Sequence, residues 1–421
     1  MCVWFGSQIQ EVLRSTLIAR RDVKSNTPFC VAGFKAAGVH CGVKQTGLDL
    51  ALIASDAPAR VAGVFTRSSV VGAPVELSRD RVRSGSARAV VINAGVANVA
   101  MGAQGLRDAA EMAQRAASAI GVPAAQVLVA STGVIGSRLP MPRIRRGIRA
   151  AANRLEESGL RDAAEAIRTT DTFAKTAIET AKVDGRAVTV AGIAKGSGMI
   201  EPNMATMLAF LVTDAAVAAP FLRRVLRAAT NAGFNRLSVD GETSTSDMAL
   251  LFANGAARNR ELRGPRSAGA AAFAAAVERV VIALTREIAR DGEGATKLVT
   301  VRVEGAANGA DAERAARRIA NSMLVKTALF GGDANWGRIL QTVGAARVAV
   351  KLDRALVRLG GVTVFRAGAS AGPAARKRAA RKLNAPEVEV AIDLGAGQAS
   401  AHVWTCDLGY DYVKINAEYT T

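Results

Sequence analysis

The chain has 421 residues, of which 50% are hydrophobic and 22% are charged, and this balance excludes a disordered or collagen-like protein. Lysine and arginine exceed aspartate and glutamate by 55 − 36 = 19, so acidic ligands and partners have to be considered. Only 4% of the residues are aromatic, which predicts an aliphatic core and argues against a surface that stacks nucleic-acid bases.

Strands and helices alternate along the chain after residues 1–27, which we expect to be a disordered N-terminal extension. Short aliphatic runs separated by Gly, Ser and Asp predict strands at 48–53, 61–65, 88–92 and 126–130. Apolar residues at helical spacing predict helices at 106–120, about 220–233 and about 270–290. Alternating apolar and polar residues predict further strands at 298–303, 387–394 and 399–404.

Residues 366–382 carry six basic side chains and no acidic one. Because they lie between two predicted strands, we interpret them as an exposed loop insertion. The alternative is a patch that binds nucleic acid or another acidic surface, since clustered Lys and Arg bind phosphates with release of counterions.

The cysteines argue against a disulfide framework or a zinc site. All four (Cys2, Cys30, Cys41 and Cys406) lie far apart, without a C-x-x-C pair. A reducing compartment fits this usage, and we expect a cytoplasmic protein. No apolar run reaches the 18 or so residues of a membrane helix, so no membrane association is expected.

The sequence lacks the motifs of several common catalytic mechanisms. Only His40 and His402 could serve as a histidine base, which leaves few candidates for a conventional triad. Gly368 to Gly372 matches the G-x-S-x-G pattern around Ser370, but a basic run follows where an apolar helix should pack. We therefore predict no nucleophile elbow there, and no phosphate-binding loop is present elsewhere.

The most informative segment runs from Lys195 to Leu208 and reads Lys-Gly-Ser-Gly-Met-Ile-Glu-Pro-Asn-Met-Ala-Thr-Met-Leu. By itself it could be a glycine-rich turn before a core strand. It resembles the self-cleavage site of the ornithine acetyltransferases, also called glutamate N-acetyltransferases, in which the chain breaks between Ala and Thr. The corresponding residues here are Ala205 and Thr206.

Further segments resemble the same family and occur in the same order along the chain. Each is weak alone, but together they are specific: residues 33–39, 41–44, 131–136, 169–172, 239–245, 291–297, 326–328, 332–338 and 412–419. The resemblance therefore covers most of the chain.

The chemistry explains why a threonine should become N-terminal. Its hydroxyl is a poor nucleophile without a base, and an α-amino group with a pKa of about 7.7–8.0 suits that task. The resemblance implies that Thr206, once freed, takes acetyl from N2-acetyl-L-ornithine and passes it to L-glutamate by a ping-pong route in arginine biosynthesis. It implies no cofactor and no metal, and acetyl-CoA remains open as a further donor.

The resemblance also implies the site residues. Thr132 and Gly133 would stabilise the oxyanion. Substrate would be contacted by Thr172, Lys195, Thr206, Glu293, Asn416 and Thr421.

The expected fold is the layered αββα sandwich of the DmpA and ornithine acetyltransferase proteins, with a smaller C-terminal α/β portion. Cleavage would divide the chain into an α fragment, residues 28–205 after the extension, and a β fragment. The β fragment would comprise residues 206–296, which carry the nucleophile, and a C-terminal portion, 297–421. We expect two copies of each fragment to associate.

One segment departs from the family pattern. Residues 93–102 read Asn-Ala-Gly-Val-Ala-Asn-Val-Ala-Met-Gly where family members commonly read Asn-Ser-Gly-Asn-Ala-Asn-Ala-Cys-Thr-Gly. Polarity is lost at Val96, Ala100 and Met101, in a segment expected near the site, so substrate preference or turnover could differ.

Two alternatives stay open from the sequence. A self-processing aminopeptidase or amidase of the same fold would use water in place of glutamate as acyl acceptor. A basic nucleic-acid-binding protein would explain the net charge and residues 366–382, although we do not expect nucleic acid as the partner.

Overall fold

The computed structural model describes residues 29–201 and 207–418. The predicted extension at 1–27, the Ala205–Thr206 bond and Thr421 therefore lie outside the described residues. The described chain forms two compact units. The larger comprises residues 29–235 and 242–288, and the smaller comprises 236–241 and 289–418.

The larger unit is a mixed α/β structure built on one sheet. Its described strands are β1 (Phe34–Val39), β2 (Leu50–Phe65), β3 (Ser86–Val96), β4 (Val127–Val134), β5 (Lys175–Val183), β6 (Arg186–Lys195), β7 (Leu208–Thr213) and β8 (Met248–Ala253). Its helices are α1 (Ala73–Val82), α2 (Gly102–Ile120), α3 (Met141–Asn153), α4 (Leu160–Ala166), α5 (Ala219–Ala232) and α6 (Ala270–Arg290). The strand order is β4-β3-β2-β8-β7-β6-β5, and β1 pairs with β2.

Strand β2 is continuous over 16 residues, although the sequence predicted two shorter strands within it. Its pairing with β3 changes register between Ala54 and Ala59. Pro58 lies within this irregularity, where the missing N–H of proline is tolerated. Residues 50–60 of β2 pair with β1 and β3, whereas residues 60–65 pair with β8. One strand thus belongs to two half-sheets.

The two half-sheets pack face to face. Ile53 and Ile92 from the first half lie in the same buried cluster as Ile193, Phe210 and Leu250 from the second. Because side chains alternate between the faces of a strand, the intervening residues point away from this shared core. Burying both inner faces against each other is what makes the arrangement stable.

Helices cover the outer faces. On the first half-sheet, Leu52 packs in a second buried cluster with Met112 of α2 and Ile144 of α3. On the second, a Cβ placed on Gly192 would come within 2.9 Å of both Val280 and Leu284 of α6. The order helix, sheet, sheet, helix confirms the layered αββα architecture predicted from the sequence.

The smaller unit contains a second sheet and its own core. Its described strands are β9 (Leu298–Ala306), β10 (Leu356–Leu359), β11 (Val362–Arg366), β12 (Ala369–Ser370), β13 (Glu387–Asp393) and β14 (Ala399–Cys406), in the order β12-β11-β10-β13-β9-β14. Its helices are α7 (Gly309–Ala320), α8 (Met323–Phe330), α9 (Trp336–Ala345), α10 (Pro373–Lys382) and α11 (Tyr410–Glu418). The predicted C-terminal α/β portion corresponds to this unit, in which β9 and β13 run parallel.

Residues 366–382 are not a loop, so that prediction is wrong. They form the end of β11, the two-residue strand β12 and the ten-residue helix α10. Pro373 suits the first turn of the helix, and Ala375 and Ala379 supply its buried face. Alanine is a strong helix former but a weak hydrophobic signal, so the buried face is hard to see among the arginines.

The other predicted elements are confirmed. Helices α2, α5 and α6 match the three predicted from helical spacing, and β9, β13 and β14 match the three alternating segments. Gly121 ends α2 in the left-handed conformation, with φ of 71°. Among the described helices, none is long and apolar enough to cross a membrane.

Candidate active site

The predicted cleavage bond falls in the connection between two central strands. Lys195, the last residue of β6, pairs with Leu208, the first residue of β7. Ala205 and Thr206 belong to the short gap in the described residues, and Thr206 is two positions before Leu208 in the sequence. The site can therefore be described from the residues on either side of that gap.

Lys195 contacts a residue from the opposite half-sheet. Its Nζ donates a hydrogen bond to Oγ1 of Thr132 at 3.1 Å. Thr132 lies near the end of β4 and is only 7% exposed. Since β4 and β6 belong to different half-sheets, the sandwich brings together two residues that are 63 positions apart. The lysine can only donate, so the hydroxyl proton of Thr132 is directed to another acceptor.

Gly133 follows Thr132 and is confined by a neighbouring strand. It pairs with Gly95 of β3, and its φ is +126°, which side chains rarely adopt. A Cβ on Gly133 would lie 2.3 Å from the carbonyl carbon of Gly95. Glycine is thus required here for both conformation and space.

A buried ion pair that was not predicted from the sequence contacts the backbone of Gly196, the residue after Lys195. Lys175 Nζ lies 2.7 Å from Asp171 Oδ1, and both side chains are fully buried. The N–H of Gly196 donates to the same carboxylate oxygen at 2.7 Å, and the N–H of Thr169 donates to the other at 3.0 Å. Asp171 therefore ties the start of the cleavage segment to the strand β5.

The environment of Asp171 keeps its carboxylate charged. Burial alone would raise its pKa, but the positive charges of Lys175 and Lys195 and hydrogen bonds from Lys175 and Gly196 hold the pKa well below its usual range. These three charged side chains carry two positive charges and one negative. The buried pair is neutral as a whole, so the excess positive charge is that of the partly buried Lys195, which is suited to hold a substrate carboxylate.

The segment that departs from the family pattern lies against the Thr132 strand. The N–H of Ala97 donates to the carbonyl of Val134 at 2.9 Å, and that of Gly136 donates to the carbonyl of Val99 at 3.2 Å. Asn98 and Ala100 both have positive φ, 55° and 60°. A non-glycine residue in this region is strained, as is frequent near functional sites. The lost polarity thus lies next to the predicted oxyanion strand.

The smaller unit brings together two other predicted residues. Asn416 of α11 donates from Nδ2 to Glu293 Oε2 at 2.8 Å. Glu293 is 7% exposed, and its loop is held by Asp407, whose Oδ1 accepts from the N–H groups of Thr296 at 2.8 Å and Lys297 at 3.0 Å. A carboxylate is thus presented on an anchored loop, where it can receive an amine.

The predicted site residues are therefore found in two sets, Thr132 with Lys195 in the larger unit and Glu293 with Asn416 in the smaller. Thr172 is exposed and directly follows Asp171. Asp171 and Lys175 were missed by the sequence reasoning, although their spacing around Phe173 at the start of a strand was a visible signal. Nζ of Lys175 lies 4.9 Å from the centroid of the Phe173 ring.

No cluster of metal-ligating side chains and no disulfide bond occur among the described residues. No group of three or more His, Cys, Asp or Glu side chains there could hold a metal ion. Cys30, Cys41 and Cys406 are free thiols. Burial, followed by the charge and hydrogen bond of Asp49, raises the pKa of Cys41 to about 12, so this thiol stays protonated.

The described residues thus define a protein class: an αββα sandwich with a partly buried lysine–threonine contact beside the entry to a central strand. The sequence profile of the ArgJ family matches residues 35–421, and the chain belongs to this family.

Individual relatives agree with this family. The chain is 52% identical over 395 residues to the arginine biosynthesis bifunctional protein ArgJ of Symbiobacterium thermophilum, covering 93% of this chain and 97% of the relative. It is 51% identical to the protein of the same name from Geobacter sulfurreducens, covering 93% of this chain and 100% of the relative. A solved ornithine acetyltransferase from Mycobacterium tuberculosis, complexed with ornithine, is 36% identical, covers 42% of this chain and 94% of that one, and has a TM-score of 0.38.

Proposed function

We propose that this protein transfers acetyl from N2-acetyl-L-ornithine to L-glutamate in arginine biosynthesis, as a glutamate N-acetyltransferase. Family membership supports the reaction class. The observation that carries the site is the 3.1 Å contact between Lys195 and Thr132, because Lys195 pairs with the residue two positions after Thr206. A cation and a polar hydroxyl therefore meet beside the entry to β7.

Processing comes first in the proposed mechanism. The hydroxyl of Thr206 attacks the carbonyl of Ala205, the peptide shifts to an ester, and water opens the ester. The products are fragments of 205 and 421 − 205 = 216 residues. Thr206 then carries a free α-amino group, which accepts the proton of its own hydroxyl at a pH near neutrality.

Acetyl transfer follows in two halves. Thr206 attacks the acetyl group of N-acetylornithine, and ornithine leaves with a proton; glutamate then attacks the acetyl-threonine ester. Both halves pass through a tetrahedral oxyanion, which Thr132 and the Gly133 backbone stabilise. Because Lys195 donates to Thr132, the threonine proton is available to that oxyanion.

The charge of each predicted residue supports the kind of substrate group that it would contact. Lys195, whose charge is not balanced by the buried Asp171–Lys175 pair, suits an α-carboxylate. Glu293, held by Asn416, suits an amine. Thr172 and Thr421 would complete the contacts, as the family resemblance implies.

A denaturing gel tests the processing step directly. Wild-type protein should give two bands of similar size, and Thr206→Ala should give one full-length band. Mass spectrometry should find a new N-terminus at Thr206. An intact wild-type chain would contradict the mechanism.

A rate comparison tests the acceptor. Ornithine release from N-acetylornithine should accelerate when glutamate is added, and N-acetylglutamate should form in equal amount. Release at the same rate without glutamate would instead indicate the aminopeptidase or amidase alternative, which the comparisons do not favour.

Three further proposals concern the acetyl donor, the assembly of the fragments and the location of the protein in the cell. The proposed reaction uses no cofactor, as the family resemblance implies. Acetyl-CoA is tested as a second donor by following thiol release in the presence of glutamate. Two copies of each fragment would assemble, which native mass spectrometry measures. We propose the cytoplasm as the location, tested by fractionation of cells that produce the protein.

A further inference from the structure

A cleft with a strongly basic lining lies at one edge of the larger unit. Its volume is about 460 Å³, within the range typical of small-molecule sites. It is formed by the end of β2, the residues after it, and helices α1 and α5. The lining residues are Gly63, Val64, Phe65, Thr66, Arg67, Ser68, Arg79, Arg223 and Arg227.

The four arginines have no acidic counterpart in the cleft. None of its lining residues is acidic, and none of the four forms an ion pair with an acidic side chain within residues 29–201 and 207–418. Arg79 is positioned by its own contacts: it donates to the carbonyl of Thr66 at 3.0 Å, and its guanidinium lies 5.7 Å from the centroid of the Phe65 ring. The cleft thus concentrates uncompensated positive charge.

The strand that forms one wall offers backbone donors as well. The N–H of Thr66 donates to the carbonyl of Asp247, which directly precedes β8. The N–H of Val61 donates to the carbonyl of Gly85, on the side of β2 that faces away from β8. Because backbone groups alternate along a strand, the N–H groups of Gly63 and Phe65 point the same way as that of Val61, away from β8. They therefore face the edge of β2 that, over residues 61–65, no described strand pairs with, and this edge lines the cleft.

We propose that this cleft binds the diphosphate group of a small molecule. Guanidinium groups pair with phosphate oxygens in a bidentate geometry, and backbone N–H groups add further donors. A diphosphate spreads its charge over two phosphoryl groups, which suits arginines contributed by two helices and by the segment that follows β2. A nucleoside diphosphate and a larger coenzyme carry this same chemistry.

The cleft lies at the same end of the sheet as Leu208, the first residue of β7. Phe65 pairs with Met248, and Met248 pairs with Leu208 at the start of β7. Neighbouring strands are about 4.8 Å apart, so about 10 Å separates the backbone of Phe65 from that of Leu208. The proposal does not depend on acetyl transfer, since it concerns binding alone.

Calorimetric titration of the purified full chain tests the proposal. Inorganic pyrophosphate should bind at low ionic strength, and Arg223→Ala and Arg227→Ala should each weaken it by about tenfold. Arg224→Ala is the matched control, because Arg224 is exposed on the same helix but does not line the cleft. It removes one equal charge and should leave affinity unchanged.

Titrations with ADP and coenzyme A identify which kind of molecule supplies the diphosphate. ADP binding more tightly than pyrophosphate supports a nucleotide, and coenzyme A binding more tightly than ADP supports the larger coenzyme. Absence of binding by all three overturns the proposal. An equal loss of affinity in Arg224→Ala also overturns it, because that result would reflect the overall positive charge of the helix. Citrate binding as tightly as pyrophosphate overturns it too, because the cleft would then not distinguish phosphate from carboxylate.

Discussion

Asp171 and Lys175 form an ion pair of 2.7 Å in which both side chains are fully buried. The same carboxylate accepts the N–H of Gly196, the first residue after β6. The pair therefore connects the beginning of β5 with the segment that precedes the predicted cleavage bond. Loss of either charge should affect both stability and the site.

Replacing Lys175 with Met should destabilise the protein by about 3–5 kcal/mol, because it leaves a buried carboxylate without its main partner. Chemical denaturation followed by circular dichroism measures this loss. The double variant Asp171→Asn/Lys175→Met should be less destabilised than Lys175→Met. If the two losses simply add, the pair is not coupled.

Low pH should lower the stability of the folded protein partly because Asp171 becomes protonated. Its pKa is depressed in the folded state, so its contribution to stability is complete above the unfolded pKa of about 3.9 and is lost as the pH falls below that value toward the folded pKa. Melting temperatures of wild type and Asp171→Asn, measured from pH 6 to 3, should converge on the acid side. A constant difference across this range would contradict the depressed pKa.

Thr132→Val should lower the rate of acetyl transfer by about 10²–10³, because it removes one oxyanion donor while keeping the shape of the side chain. Thr132→Ser keeps the hydroxyl and should retain most activity. Rates are compared per cleaved chain, with the cleaved fraction read from a denaturing gel. Full activity of the valine variant would exclude Thr132 from the mechanism.

Gly133→Ala should abolish activity and destabilise the protein, since its Cβ would lie 2.3 Å from the backbone of Gly95. Gly136→Ala separates strain from collision: Gly136 also has a positive φ, of +77°, but no atom lies within 4 Å of its Cβ position. That control should cost only about 1–2 kcal/mol. Thermal melts and acetyl-transfer assays check both variants, and equal behaviour would argue against the collision.

Much of the fold could be predicted because its signals are local. The apolar spacing of α2 and the glycine that ends it lie within one segment, and so do the alternating residues of β9. The basic helix α10 was missed because its buried face consists of Ala375 and Ala379. The continuity of β2 was missed because Ser55 and Asp56 separate its two aliphatic runs.

The site was only partly accessible from the sequence. Thr132 and Lys195 could be named from family motifs, but nothing local showed that they touch. Asp171 and Lys175 were visible as an opposite-charge pair, yet their complete burial, which makes them important, depends on the packing around them.

The sequence by itself determined the class of elements, most of their positions and the motifs of the family, because these depend on neighbouring residues and on their own periodicity. Only the tertiary structure decided that β2 joins two half-sheets, that Lys195 meets Thr132 across them, and that four arginines line one cleft. These relationships depend on burying two apolar faces against each other, and that free energy is gained only when segments far apart in the chain have already packed.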